Sequence, residues 1–351
     1  MSIIVALLVL SLLIFFHELG HFAAARYFGV FVEKFSIGFG KPIYSKTING
    51  CEYRLSAIPL GGYVQMKGQD DTDPTKRSND SDSYNALHPW QRIVILFAGP
   101  FANFLTAFVL YFFVALLGFN VLTATIGGVQ ENSPAQKANL QAKDTIVAIN
   151  GNEIKHWEDM SEYIKNSNGT LVFTIERENK RFNSAITPQI LTTQNIFGET
   201  IERKMIGIAP SGDVTTVHLG GFEAIGYAHN QTLEAMTLIV KSVQKLIEGV
   251  VPAKEIGGVV SIVQISAQAS EAGIVALFIF SALISVNLGI LNLLPIPALD
   301  GGHIIFNVYE WISKKAPSER VLYTLTLMGW GVLIGLMFLG LYNDINRLMG
   351  S

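Results

Sequence analysis

The stretch IIVALLVLSLLIFFHELGHFAAA, residues 3–25, is apolar apart from Ser11, His17, Glu18 and His21. It is long enough to cross a bilayer as a helix, which takes about 20 residues. On a helix, positions i and i+4 share a face, so His17 and His21 point the same way with Glu18 between them. Two imidazoles so placed can hold one zinc ion, and the intervening carboxylate can serve as general base toward a water. A charged group near mid-bilayer costs about 3 kcal/mol or more and normally marks function. The bland alternative is a pair of packed histidines with a Glu–His hydrogen bond.

Working outward, three more runs lack Asp, Glu, Lys and Arg: 93–130, 272–299 and 321–343. Only 15% of the 351 residues are charged and 50% are hydrophobic, whereas soluble domains carry about 25% charged residues. The expected fold class is therefore a polytopic α-helical membrane protein with four transmembrane helices, resting in a lipid bilayer. The formal net charge of −3 lacks the basic excess of a nucleic-acid-binding protein. Cys51 stands alone, which excludes an intrachain disulfide framework and a multi-cysteine metal site. The first span has no basic n-region and no A-x-A-like site closing its apolar part, so it reads as a retained helix rather than a signal peptide.

Short loops rich in Lys and Arg stay cytoplasmic. The segment from Arg26 to Arg92 holds nine such residues, and Lys314, Lys315 and Arg320 precede the last span. With four spans these two segments share a side, which is read as cytoplasmic. Both termini and the long 119–271 segment then lie outside the cytoplasm.

The expected organisation is a first span over 1–27 and a cytoplasmic-side β-hairpin, re-entrant region and polar loop over 28–91. A second span follows over 92–120. Within 28–68, alternating apolar residues with Gly and Pro between them favour short hairpins. Residues 69–88, rich in Asp, Ser, Asn and Thr, read as a loop. Residues 121–190 read as an extracytoplasmic α/β module. Its N-S-P-A…L…D-x-I-x-x-I-N-G pattern over 132–151 resembles a PDZ domain, a fold that mostly binds extended peptide at a sheet edge. Asn139 stands where that pattern usually has Gly. Residues 191–271 read as a linker carrying an amphipathic helix, with apolar residues at 3–4 spacing from Leu233 to Val250. The third span, 272–312, carries a second polar motif, and the fourth covers 318–344.

A catalytic zinc takes three protein ligands and keeps one position open. His88, His156, His218, His229, His303, Asp300 and the exposed acids are the candidates for the third. His17 lies about 24 Å along the first helix at 1.5 Å per residue, toward its cytoplasmic end. Asp300 ends the uncharged run of the third span at a similar depth and is the favoured ligand. His303 is its rival one turn on, and a helix N-cap is the alternative role for Asp300. Gly99-Pro100 should kink the second span, with Asn103 one turn further toward the cavity.

Taken together, F-H-E-L-G-H at 16–21, G-G-Y-V at 61–64, F-A-G-P-F-A-N at 97–103 and N-L-L-P-I-P-A-L-D-G-G-H at 292–303 resemble the site-2 protease family of intramembrane zinc metalloproteases. The bacterial regulator-of-sigma-E protease group is the nearest within it. The resemblance implies that His17, His21 and Asp300 bind one Zn2+ and that Glu18 activates water. It implies that Asn292 stabilises the oxyanion or holds substrate, and that Pro295 and Pro297 break the third span beside the site. The strand Gly61, Gly62, Tyr63, Val64 and Gln65 would hold an unwound substrate. It further implies a bacterial inner (cytoplasmic) membrane protein whose substrates are transmembrane proteins such as trimmed anti-sigma factors or remnant signal peptides. The PDZ-like module would touch peptide or exclude bulky substrates. A membrane-anchored soluble zincin is disfavoured because the motif lies within a span. A zinc transporter should show repeat symmetry, and a non-enzymatic scaffold would be expected to lose Glu18.

Overall fold

The computed structural model describes residues 2–69 and 78–350, so the middle of the polar loop expected over 69–88 lies outside the described residues. Among the described residues, four helices are long and apolar enough to cross a membrane: Ile4–Tyr27, Pro89–Leu117, Ile274–Asn292 and Glu319–Met349. The chain divides into one unit of Met1–Val114 with Gly221–Ser351 and a second unit of Ala115–Gly220.

In the first unit, helix α1 (Ser2–Tyr27) leads into two long strands, β1 (Val32–Ile48) and β2 (Cys51–Met66), in place of separate short hairpins. They are joined at Asn49-Gly50, both left-handed with φ 50° and 81°, the conformation a tight two-residue hairpin turn demands. The register places Lys34–Ile37 between two stretches of β2. On one side they pair with Gln65 back to Gly62, on the other with Glu52 to Leu55. Residues 62–66 thus form an outer edge of this sheet. Phe35, Val64 and Met66 are buried with Ala25, Val30 and Ile95 in one apolar cluster, which ties the sheet to α1 and to α2 (Pro89–Leu117). The two helices approach closely at Gly20, where a Cβ would overlap the Ala98 carbonyl; small residues serve this purpose where lipid supplies no driving force.

The second unit comprises ten strands and two short helices. They are β3 (Phe119–Leu122), β4 (Ile126–Val129), α3 (Pro134–Lys137), β5 (Thr145–Ile149), β6 (Asn152–Glu153), α4 (Trp157–Asn166), β7 (Leu171–Arg177), β8 (Lys180–Ile186), β9 (Gln189–Gln194), β10 (Thr200–Met205), β11 (Ile208–Pro210) and β12 (Val214–Val217). A four-stranded sheet runs β6-β5-β7-β8, while β12 pairs with β3, β11 with β4 and β10 with β9. Ile126, Ile146, Ile149, Met160, Phe173, Ile175 and Ile206 fill its core. The buried Asp144 receives Arg177 through Nε at 2.6 Å and Nη2 at 2.7 Å. Asn139 is left-handed, φ 56°, so the turn keeps the conformation that Gly would supply. The expectation of a linker beginning at 191 is corrected: β9 to β12 belong to this unit and Ile206 reaches its core. Gln and Thr take much of β9 and β12, and Glu202, Arg203 and Lys204 interrupt β10, so apolar alternation is weak.

Back in the first unit, α5 (Gly221–Ile247) buries Ala224, Ala228, Thr232 and Ala235, two of them in a cluster with Ala107 and Tyr111 of α2. Residues 251–271 are not a linker either; they contain α6 (Val259–Ala272), which packs along α1. The third span is divided into α7 (Ile274–Asn292) and α8 (Asp300–Ser313), and α9 (Glu319–Met349) closes the chain. Asp344 of α9 supplies the N-terminal cap of α6. Its carboxylate accepts from the backbone N–H of Gly258 and Val260 at 3.0 Å and of Ser261 at 3.2 Å, and from the Ser261 hydroxyl. Hydroxyls within the spans bond back to carbonyls one turn earlier, as in Thr106 to Ala102 at 2.8 Å and Ser281 to Leu277 at 2.6 Å, which satisfies them without water.

Candidate metal centre

One turn of α1 separates His17 and His21, and their rings meet edge to face with centroids 4.7 Å apart. Their Nε2 atoms are 3.1 Å apart. Asp300 brings Oδ2 to 3.3 Å from His17 Nε2 and 3.4 Å from His21 Nε2. These three side chains form the one such group of potential metal ligands among the described residues. His303 lines the same cavity one turn further on α8 but stands outside that group. His88 faces Trp311, His156 precedes α4, and His218 packs at Gly118; none of them, nor His229, joins the group.

Local sequence explains how Asp300 arrives there. The break after Asn292 contains Pro295 and Pro297, which lack the N–H a helix needs. The chain turns through bonds from Leu293 N–H to Ile290, Leu294 N–H to Leu291 and Leu299 N–H to Ile296. A Cβ on Gly301 would strike the Leu293 and Leu294 carbonyls, and one on Gly302 the Ile296 carbonyl. The paired glycines therefore let the turn fold back against the start of α8. Leu299, not Asp300, occupies the N-cap position, so the Asp300 carboxylate is free of that role and faces the histidines. Pro295 and Pro297 shape this turn and are not among the residues lining the cavity.

The donor set fits a cation. His21 Nδ1 lies 2.8 Å from the Ile95 carbonyl oxygen, which can only accept, so Nδ1 carries the hydrogen and Nε2 presents a lone pair. Asp300 Oδ2 is buried without a hydrogen-bond donor among the described residues. Imidazole nitrogens and a carboxylate oxygen converging on one point are zinc-type ligands. The open side faces a cavity of about 470 Å³, lined by Glu18, Gly62, Tyr63, Val64, Gln65, Met66, Asn292, Leu299 and Trp330 among others. The Asn292 amide is 3.4 Å from His17 Nε2. The edge stretch 62–66 forms one wall, and Tyr63 stacks on Phe39 with centroids 6.2 Å apart. Gly61, at φ 135°, lies just outside that wall with the Phe39 ring where a Cβ would be.

Two residues acquire meaning only in three dimensions. Gly99 lies against both imidazoles, and a Cβ there would overlap His21 and sit 2.9 Å from His17 Cε1. The Asn103 amide lies 3.1 Å from His17 Nδ1. The sequence marks the first as half of a kinking Gly-Pro and turns the second toward the cavity, but it does not pair either with an imidazole.

Residues 5–336 match the family model described as Peptidase family M50. A Campylobacter jejuni protein bearing the name of a zinc metalloprotease is 46% identical over 98% of this chain and 93% of its own. A similarly named Helicobacter pylori protein is 43% identical over 99% of each, and one from Rickettsia conorii is 36% identical over 99% of each. Among solved structures, the PDZ domain of an SdrC-like protein from Listeria innocua is 24% identical, covering 25% of this chain and 92% of its own at TM-score 0.21, too low to bear on the fold.

Proposed function

The chain belongs to peptidase family M50 and is a zinc metalloprotease; on that premise we propose that it hydrolyses peptide bonds of transmembrane segments within the membrane. The observation that carries this reading is the His17–His21–Asp300 group, set among apolar spans and open to a cavity with a strand edge for one wall. His17, His21 and Asp300 would hold one zinc ion. Bound zinc supplies Lewis acidity, polarising a carbonyl and acidifying water.

Glu18 accepts the proton from the water whose oxygen bonds to the scissile carbonyl carbon. It then delivers a proton to the departing amide nitrogen as the C–N bond breaks. Asn292 donates to the oxygen on which negative charge develops, a term worth about 3 kcal/mol where a single donor has been removed from such a site. A transmembrane helix satisfies its carbonyls internally and must unwind before attack. The edge stretch Gly62–Gln65 can receive the unwound peptide as an added strand. Pro295 and Pro297 act indirectly, by holding the turn that presents Asn292 and Asp300.

The resemblance in sequence supports trimmed anti-sigma factors or remnant signal peptides as substrate classes. It also supports a bacterial inner-membrane setting with the site toward the cytoplasm and unit 115–220 outside as a PDZ-like filter.

The test is cleavage of a model transmembrane substrate in liposomes by wild type, Glu18→Gln and Asp300→Asn, with bound zinc measured in each. Glu18→Gln should keep zinc and lose at least about 100-fold in rate. Asp300→Asn should bind zinc weakly. Unchanged cleavage by Glu18→Gln would sink the mechanism, and full zinc occupancy in Asp300→Asn would move the third ligand elsewhere.

A further inference from the structure

We infer that Asn103 is a positioning residue for the metal centre: its side-chain oxygen accepts the Nδ1 hydrogen of His17 and thereby fixes the tautomer that leaves Nε2 free for the metal. This rests on the zinc reading above and adds a residue to it.

Asn103 is fully buried on α2, one turn beyond Gly99. Its amide is 3.1 Å from His17 Nδ1, and its backbone carbonyl accepts the Ser285 hydroxyl of α7 at 2.8 Å. The residue is therefore pinned between α2 and α7 with its side chain aimed at α1. His17 Nε2 is the atom that faces His21 and Asp300, so Nδ1 must bear the ring hydrogen when a metal is held. Nδ1 then needs an acceptor. A hydrogen bond from the second ring nitrogen is what orients a metal-bound histidine and raises its basicity. For His21 the Ile95 carbonyl does this at 2.8 Å.

Among the described residues the group at that distance from His17 Nδ1 is the Asn103 amide, and of its two ends the oxygen is the one that can accept. With the amide nitrogen turned to the ring, Oδ1 lies buried without a partner among the described residues. A half-turn of the amide exchanges two atoms of nearly equal size. It places the acceptor where His17 requires one. The opposite orientation would have Asn103 donate to Nδ1, which forces the ring hydrogen onto Nε2 and blocks the metal.

The two orientations make opposite predictions for an acceptor-only side chain. Zinc affinity is measured by chelator competition on purified full-length protein for wild type, Asn103→Asp and Asn103→Leu, with thermal unfolding followed in parallel. Asn103→Leu should weaken zinc binding by roughly 10- to 100-fold and regain cleavage when zinc is raised to saturation. Asn103→Asp should bind zinc as tightly as wild type or more so. Wild-type affinity in Asn103→Leu, or an Asn103→Asp as weak as Asn103→Leu while both unfold at the wild-type temperature, overturns the assignment. If both variants fail to fold, the wild-type protein decides: 15N spectra of the zinc-loaded, histidine-labelled enzyme should show His17 protonated at Nδ1, and a bare Nδ1 overturns it. Loss of zinc from Asp300→Asn with no change in Asn103→Leu would leave the metal centre standing and remove only Asn103 from it.

Discussion

Gly99 gives His21 the room it occupies: a Cβ on Gly99 would overlap the Nε2–Cε1 edge of the imidazole, and the same atom would crowd His17 at 2.9 Å. Because Ala favours helix over Gly, Gly99→Ala should leave α2 intact and act on the rings alone. The expected result is a well-inserted protein whose zinc affinity falls roughly tenfold or more, read by chelator competition. Wild-type affinity would mean that the rings can yield without leaving the metal.

The strand edge at 62–66 makes its own prediction. Consecutive residues of a strand turn their N–H groups to opposite sides, so Tyr63→Pro and Val64→Pro remove different donors. One faces the paired residues Phe35 and Ser36 and its loss should destabilise the sheet. The other faces the cavity. Its loss should leave zinc and folding unchanged while slowing cleavage roughly five- to tenfold, the worth of a hydrogen bond of about 1 kcal/mol. If neither variant separates cleavage from folding, substrate does not add to this edge.

Unit 115–220, if it filters substrates by size, should be dispensable for hydrolysis itself. Replacing residues 119–217, the whole run from β3 to β12, by a flexible linker in the full chain should permit cleavage of a substrate that still carries its extracytoplasmic domain. Cleavage of the trimmed form should be unchanged. Unaltered discrimination between the two substrates would refute the filter.

Asp344 carries four hydrogen bonds from the start of α6. Asp344→Ala strips that helix of its cap and leaves buried donors without partners, a loss of about 1–3 kcal/mol for each group left unsatisfied. Proteolysis in detergent should then open the chain near 253–261 before any other helix. Equal resistance in wild type and variant would show that water replaces the carboxylate.

What was legible in the sequence followed the range of the interaction involved. Spans of 20 or so uncharged residues and the i, i+4 histidines are local patterns, so α1, α2, α7 and α9 and the pair His17–His21 could be read directly. Depth along the spans favours Asp300 over His303, and the family resemblance points the same way; what the sequence does not display is the fold-back against Gly301 and Gly302 that carries the carboxylate to the histidines. Helix α6 was missed because it is short, carries Ser261, Gln264, Ser266 and Gln268, and owes its cap to a residue on another helix. Strands β9 to β12 are hard to read in the sequence because Gln and Thr in β9 and β12, and Glu202, Arg203 and Lys204 in β10, dilute their apolar alternation. Gly99 was read as part of a kink, since nothing near it in sequence announces an imidazole from α1.

The cap that α9 lends to α6 also bears on how the molecule is made. Gly258 and Asp344 are 86 positions apart, and Asp300 stands still further from the histidines it meets. Helix α1 precedes α8 in the chain, so both imidazoles are made before the Asp300 carboxylate that meets them. Helix α6 likewise precedes the residue that caps it. Only once α9 has been made can Asp344 close the start of α6. Neither the capped α6 nor the group of His17, His21 and Asp300 is therefore a local structure: each exists only after a distant, later helix has come to meet an earlier one.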